Sequence, residues 1–120
     1  MSHSGVVPVR ETFTVKSGDR LPPLQIPLKT ADGLPKDLTG VDPAHIKLVI
    51  APCIGGRRAV SQDAMTIFGH PFDGIVQYAW PEVPLPVGEY MMEVILHQGT
   101  SAQESFPGGG YYKLQVLPRL

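Results

Sequence analysis

Apolar and polar residues alternate in short stretches along the chain, with turn residues between them. In residues 10–16, Thr12 and Thr14 alternate with Phe13 and Val15. In residues 24–29, Leu24, Ile26 and Leu28 share one face and Pro27 lies on the other. Proline donates nothing to a ladder, so this reads as an edge or bulged strand. Residues 45–51 place Ile46, Leu48 and Ile50 opposite Lys47 and Val49, and Pro52 stops the run. Residues 64–68 form a short candidate strand. Val76, Tyr78 and Trp80 share a face in residues 75–80. Residues 89–97 set Tyr90, Met92, Val94 and Leu96 against Met91, Glu93, Ile95 and His97. Tyr112, Leu114 and Val116 alternate in a last strand that Pro118 ends. A period of two predicts half-buried strands, and no stretch carries the helical period over three turns.

About seven short strands at regular spacing predict an all-β chain with no substantial helix. The expected fold is an immunoglobulin-like antiparallel β-sandwich, with a small barrel as the alternative. Residues 1–8 lack periodicity and read as an N-terminal arm, leaving 9–120 as a single sandwich domain. Composition agrees. Thirteen glycines and thirteen prolines in 120 residues exclude a helical bundle, since proline costs a helix interior about 3 kcal/mol and glycine about 1 kcal/mol. A hydrophobic fraction of 42% separates the chain from disordered ones.

Charge and cysteine usage narrow the partners. Ten Lys and Arg against eleven Asp and Glu leave a net charge of −1, which offers no footprint for nucleic acid or an anionic membrane. The apolar run at residues 46–54 is too short and interrupted to cross a bilayer. The first ten residues lack the pattern of a signal peptide. A charged fraction of 18% fits either a surface partly covered by a partner or a merely bland one. The single cysteine, Cys53, permits neither an internal disulfide nor a cysteine-based zinc site.

The remaining chemistry is sparse. His3, His45, His70 and His97 show no ligand spacing and read as structural or exposed. Cys53 follows an apolar strand and reads as filler rather than a nucleophile. Asp19, Asp32, Asp37, Asp42, Asp63 and Asp73 fall mostly in turns, where Asp satisfies local N–H groups. Residues 107–110 are glycine-rich without the Lys-Ser/Thr of a phosphate loop, and read as a wide turn. Trp80, Tyr78, Tyr111 and Tyr112 suit a core edge or an interface. Arg57-Arg58 reads as a loop tip that could meet a partner's acid. No catalytic residue, cofactor or metal ligand is assigned.

Three signals occur in order. Ser17-Gly18-Asp19 precedes Ala31-Asp32-Gly33 and Asp37-Leu38-Thr39-Gly40. Asp73-Gly74-Ile75-Val76-Gln77-Tyr78 precedes Gly88-Glu89-Tyr90. Phe106-Pro107 precedes Gly110-Tyr111-Tyr112. Over residues 17–117 this set resembles the N-terminal domain of phage baseplate upper proteins and related small phage structural domains. The resemblance implies a non-enzymatic virion protein, anchored at the tail, baseplate or head–tail region. Its partners would be other virion proteins and copies of itself in a symmetric assembly. Val6, Val7, Pro8, Arg57, Arg58 and Tyr111 are the expected assembly contacts. A capsid decoration protein and, from another class, a carbohydrate-binding module are the alternatives. A small hydrolase using a carboxylate pair across strands has no motif behind it.

Overall fold

In the computed structural model, residues 9–53, 61–81, 85–97 and 99–119 are described. Nine strands form: β1 (Val9–Lys16), β2 (Leu24–Pro27), β3 (Lys47–Pro52), β4 (Ser61–Ala64), β5 (Thr66–Phe68), β6 (Ile75–Tyr78), β7 (Gly88–Leu96), β8 (Glu104–Phe106) and β9 (Tyr111–Leu117). The larger sheet runs β1-β9-β7-β3-β4, with β8 also on β7, and the smaller runs β2-β6-β5. Every pairing is antiparallel except β1 with β9, which is parallel. The fold is the expected β-sandwich.

Two of the nine strands arise by interruption. β4 and β5 are successive, but β4 pairs with β3 in the larger sheet and β5 with β6 in the smaller. The chain changes sheets at Met65, which is buried and whose N–H donates to the Ile46 carbonyl at 3.0 Å. β8 and β9 share one edge of β7. Two steps along β7, from Val94 to Met92, correspond to six along the partner, from Phe106 to Tyr112. The excess is residues 107–110, the proline–glycine stretch, which breaks one long strand into two.

The inward positions carry the predicted alternation. Ile26, Leu28 and Val76 of the smaller sheet and Leu48, Ile50, Met92, Val94 and Leu114 of the larger are fully buried. Each such side chain contributes roughly 1.5–3 kcal/mol on burial. Side-chain polar groups fasten the caps and corners. Asp42 caps a short 3-10 turn (Pro43–His45) by accepting from the Ala44 N–H at 3.0 Å. His70 caps a second (Pro71–Asp73): its Nδ1 accepts from the Phe72 N–H at 3.3 Å, and the Asp73 carboxylate accepts from the His70 N–H. At the start of β7 the Tyr90 hydroxyl donates back to the Pro86 carbonyl. This is a tyrosine corner, a device of Greek-key sandwiches, and it contributes about 1 kcal/mol net.

Gly74 fastens the two halves of the smaller sheet. Its φ is +69°, and its carbonyl accepts from the Leu28 N–H at 2.7 Å. A Cβ there would lie 2.6 Å from the Lys36 carbonyl oxygen and 2.8 Å from the Lys36 nitrogen. Both are backbone atoms and cannot move aside. Gly33 also has positive φ, +82°, but faces open space. Gly74→Ala is therefore expected to destabilise the chain by more than about 3 kcal/mol, and Gly33→Ala by about 1 kcal/mol from the left-handed backbone alone. Urea unfolding of both variants measures the difference, and equal losses would refute the close approach.

Candidate functional site

The two sheets differ in width, and the difference opens one flank. On one side the chain closes the sandwich by crossing between sheets at Met65. On the other, β1 edges the larger sheet and β2 the smaller, and residues 17–23 run between them. Phe13 and Val15 point inward from β1 and pack on the core, yet remain half-buried. A groove of about 660 Å³ follows, lined by Phe13, Val15, Leu21, Pro22, Leu24 and Trp80 among others. Leu21 is 81% exposed at its rim. The Trp80 indole N–H donates to the Pro22 carbonyl at 2.9 Å and holds the rim in place. Arg119 ties the neighbouring turn down, contacting the Asp19 carboxylate at 2.7 Å and the Ser17 carbonyl at 3.2 Å.

The two strand edges on this flank differ chemically. In β2 the Leu28 N–H bonds Gly74, so Ile26 and Leu24 also bond inward to β6, and Gln25 and Pro27 turn their backbone outward. Pro27 has no N–H to offer, so the β2 edge presents one donor, the Gln25 N–H, beside the Gln25 and Pro27 carbonyls. In β1 the Ser17 N–H bonds the Leu117 carbonyl at 2.8 Å, which assigns Val15 and Phe13 to the β9 ladder. Thr12, Thr14 and Lys16 then direct their backbone outward. Of these groups the Lys16 carbonyl is taken by the Asp19 N–H. The others have no backbone partner among the described residues.

A second cleft, of about 640 Å³, lies where β8 breaks from β9. Lys29, Thr30, Glu11, Phe106, Pro107 and Tyr112 contribute to its lining. Thr30 Oγ1 is buried there without a hydrogen-bond partner. Burial, then the Glu11 carboxylate, push the Tyr112 hydroxyl up to about 12. Glu104 at the rim pairs with Lys36 at 3.1 Å.

The residues singled out in the sequence do not converge. Val6, Val7, Pro8, Arg57, Arg58 and His3 lie outside the described residues. Tyr111 is half-buried at the start of β9, in register with Val9. His45 is exposed in its 3-10 turn, His70 serves as a cap, and His97 follows β7 with φ +53°. Burial, then Glu89, raise the Cys53 thiol above its ordinary value, the direction opposite to nucleophile activation. Among the described residues no three His, Cys, Asp or Glu side chains are grouped to hold a metal. The open flank was missed in the sequence. Its signal was present in the proline-blunted residues 22–27 beside a proline-free first strand.

No family model and no curated protein matches the chain. Among solved structures it is similar to CopC from Methylosinus trichosporium OB3b, at 17% identity over 92% of this chain and 87% of that one, with a TM-score of 0.52. The likeness is one of fold. It corrects the expected function. The match points away from a phage virion part at tail, baseplate, head–tail region or capsid surface. The physical reason lies in the motifs that carried the resemblance. Asp37-x-Thr39 is a local turn in which the Asp37 carboxylate accepts from the Thr39 N–H and hydroxyl. Asp73-Gly74 closes a 3-10 turn, and Gly88-x-Tyr90 is the tyrosine corner. They build a sandwich whatever it does. Of the two rings expected to serve the carbohydrate alternative, Trp80 is buried with its N–H engaged and Tyr111 is half-buried in β9.

The Tyr112 hydroxyl sets an alkaline limit. An unfolded chain releases this proton near 10.0, whereas the folded one holds it to about 12. The stability it supplies is complete below the unfolded value and is lost as pH rises through the folded one. Stability is expected to fall across that window, and less steeply in Tyr112→Phe. Urea unfolding at stepped alkaline pH measures the slope; an identical slope in the variant would exclude Tyr112 as its source.

Proposed function

We propose that the chain is a non-enzymatic binding module that docks another protein on the open β1 flank of its sandwich. The observation that carries this reading is the groove where Phe13 and Val15 are left half-buried beside an 81% exposed Leu21. A strand edge with free backbone groups and an adjoining apolar strip is the surface on which strand addition works. The near-neutral charge favours a protein partner over nucleic acid or anionic lipid. No helix among the described residues is long and apolar enough to cross a membrane.

A metal ion has no ready site among the described residues of this chain. Met65 and Met92 are sealed in the core, the Cys53 thiol is pushed up, and no three ligating carboxylate, imidazole or thiol groups come together. The reading as a module therefore involves no metal step.

A photo-crosslinking residue in place of Leu21, in cells that make the protein, tests the flank. Replacement of Leu34, which is 62% exposed outside the groove, serves as the control. The expected result is a discrete protein adduct at position 21 and none at 34. Absence of an adduct at 21, or equal adducts at both, would overturn the reading.

A further inference from the structure

We propose that the occupant of the open flank is a second copy of the chain, joined by antiparallel pairing of β1 with β1 about a two-fold axis through Thr14. This rests on the reading of the flank as a docking surface and narrows the partner to the chain itself.

The β1 edge is built to pair. Its eight residues contain no proline or glycine, and Thr12, Thr14 and Lys16 turn outward. The β2 edge beside it is shorter and lacks a donor at Pro27, which disfavours strand addition there. A strand joining this flank therefore joins β1 and continues the larger sheet.

Symmetry then restricts the register. Residues that turn their backbone outward must face residues that do the same, so even numbers oppose even numbers. With Thr14 opposite Thr14 of the copy, the two exchange both backbone bonds. Thr12 faces Lys16, whose N–H is unused. On the inner face Phe13 of each copy meets Val15 of the other, an aromatic and β-branched pair of the kind that stabilises sheets. Those are the two side chains the smaller sheet leaves uncovered. Shifting one pair earlier sets Val15 against the Glu11 carboxylate. Shifting one pair later sets Phe13 against Ser17 in the turn. Each shift matches only one of the two apolar residues, Phe13 to Phe13 or Val15 to Val15, so the register centred on Thr14 is the one that gives both an apolar partner.

The net charge also admits a second copy. A chain at −1 imposes little repulsion on its own association. The edge is complementary to itself without any change of residue, whereas a foreign strand would need its own match to Phe13 and Val15.

Sedimentation equilibrium of the full chain, with three variants, tests the proposal. The wild type is expected to show a reversible monomer–dimer equilibrium. Thr14→Pro removes an outward N–H and spares the β9 ladder, and should raise the dimer dissociation constant at least about tenfold with thermal unfolding little changed. In a Cys53→Ser background, Thr14→Cys should form an inter-chain disulfide on mild oxidation. Its Cα atoms would lie about 5.5 Å apart, within disulfide reach. Thr12→Cys should not, since its counterparts would be separated by four residues of strand, roughly 14 Å. A wild type monomeric to millimolar concentration overturns the proposal, as does equal crosslinking at 12 and 14. A monomer that still yields a Leu21 adduct with another protein removes the second copy and keeps the docking flank. A monomer without any adduct removes both.

Discussion

A core sealed between two sheets is complete only as far as the narrower sheet extends. Here six strands face three, and the rest of the molecule follows from how the chain handles that shortfall. Around Met65 it crosses from one sheet to the other, so β4 and β5 close the sandwich with continuous backbone, and Met65 and Ile46 are buried there. Among the described residues no strand beyond β2 faces β1. The loop between them is drawn in by the bond from Trp80 to Pro22 but leaves Phe13 and Val15 half-covered. Apolar surface is left on that flank for a structural reason, before any partner is considered.

Strand positions were largely legible in the sequence because alternation is a local signal. Residues 46–50, 76–80 and 90–96 reveal their inward faces directly, and Pro27 marked β2 as an edge. Two strands were not legible. β4, Ser61–Ala64, carries Ser, Gln and Asp, with no apolar period to betray it. It is a strand because β3 beside it supplies the pairing partner. β8 is three residues long and becomes visible through its register on β7. The glycine-rich residues 107–110 read as a turn, whereas they interrupt a strand and shape the cleft around Thr30 and Tyr112. The parallel pairing of β1 with β9 joins opposite ends of the chain, which no local pattern encodes.

Function was far less legible, and the reason is physical. The residues that looked diagnostic, Asp37, Thr39, Gly74, Gly88 and Tyr90, are caps, turns and a corner. They are selected by backbone geometry, so unrelated sandwiches can converge on them. The same logic governs the likeness to CopC. A shared path at 17% identity records how β-strands pack, while ligands depend on side chains placed upon that path. In this chain the described histidines sit apart, one of them holding a 3-10 turn together, and Met65 and Met92 are buried in the hydrophobic core.

The treatment of the two edges on the open flank separates them. Proteins commonly blunt an exposed edge with proline, and β2 has Pro27 at a position where the missing N–H costs its own ladder nothing. The adjoining β1 edge is longer, free of proline, and presents outward threonines. Had the flank been under pressure only to avoid pairing, β1 would be the more urgent edge to blunt, because it is twice the length of β2. Blunting the short edge and leaving the long one open directs any incoming strand to one side of the groove. There it extends the larger sheet and lies over Phe13 and Val15, the part of the core that the narrower sheet fails to reach.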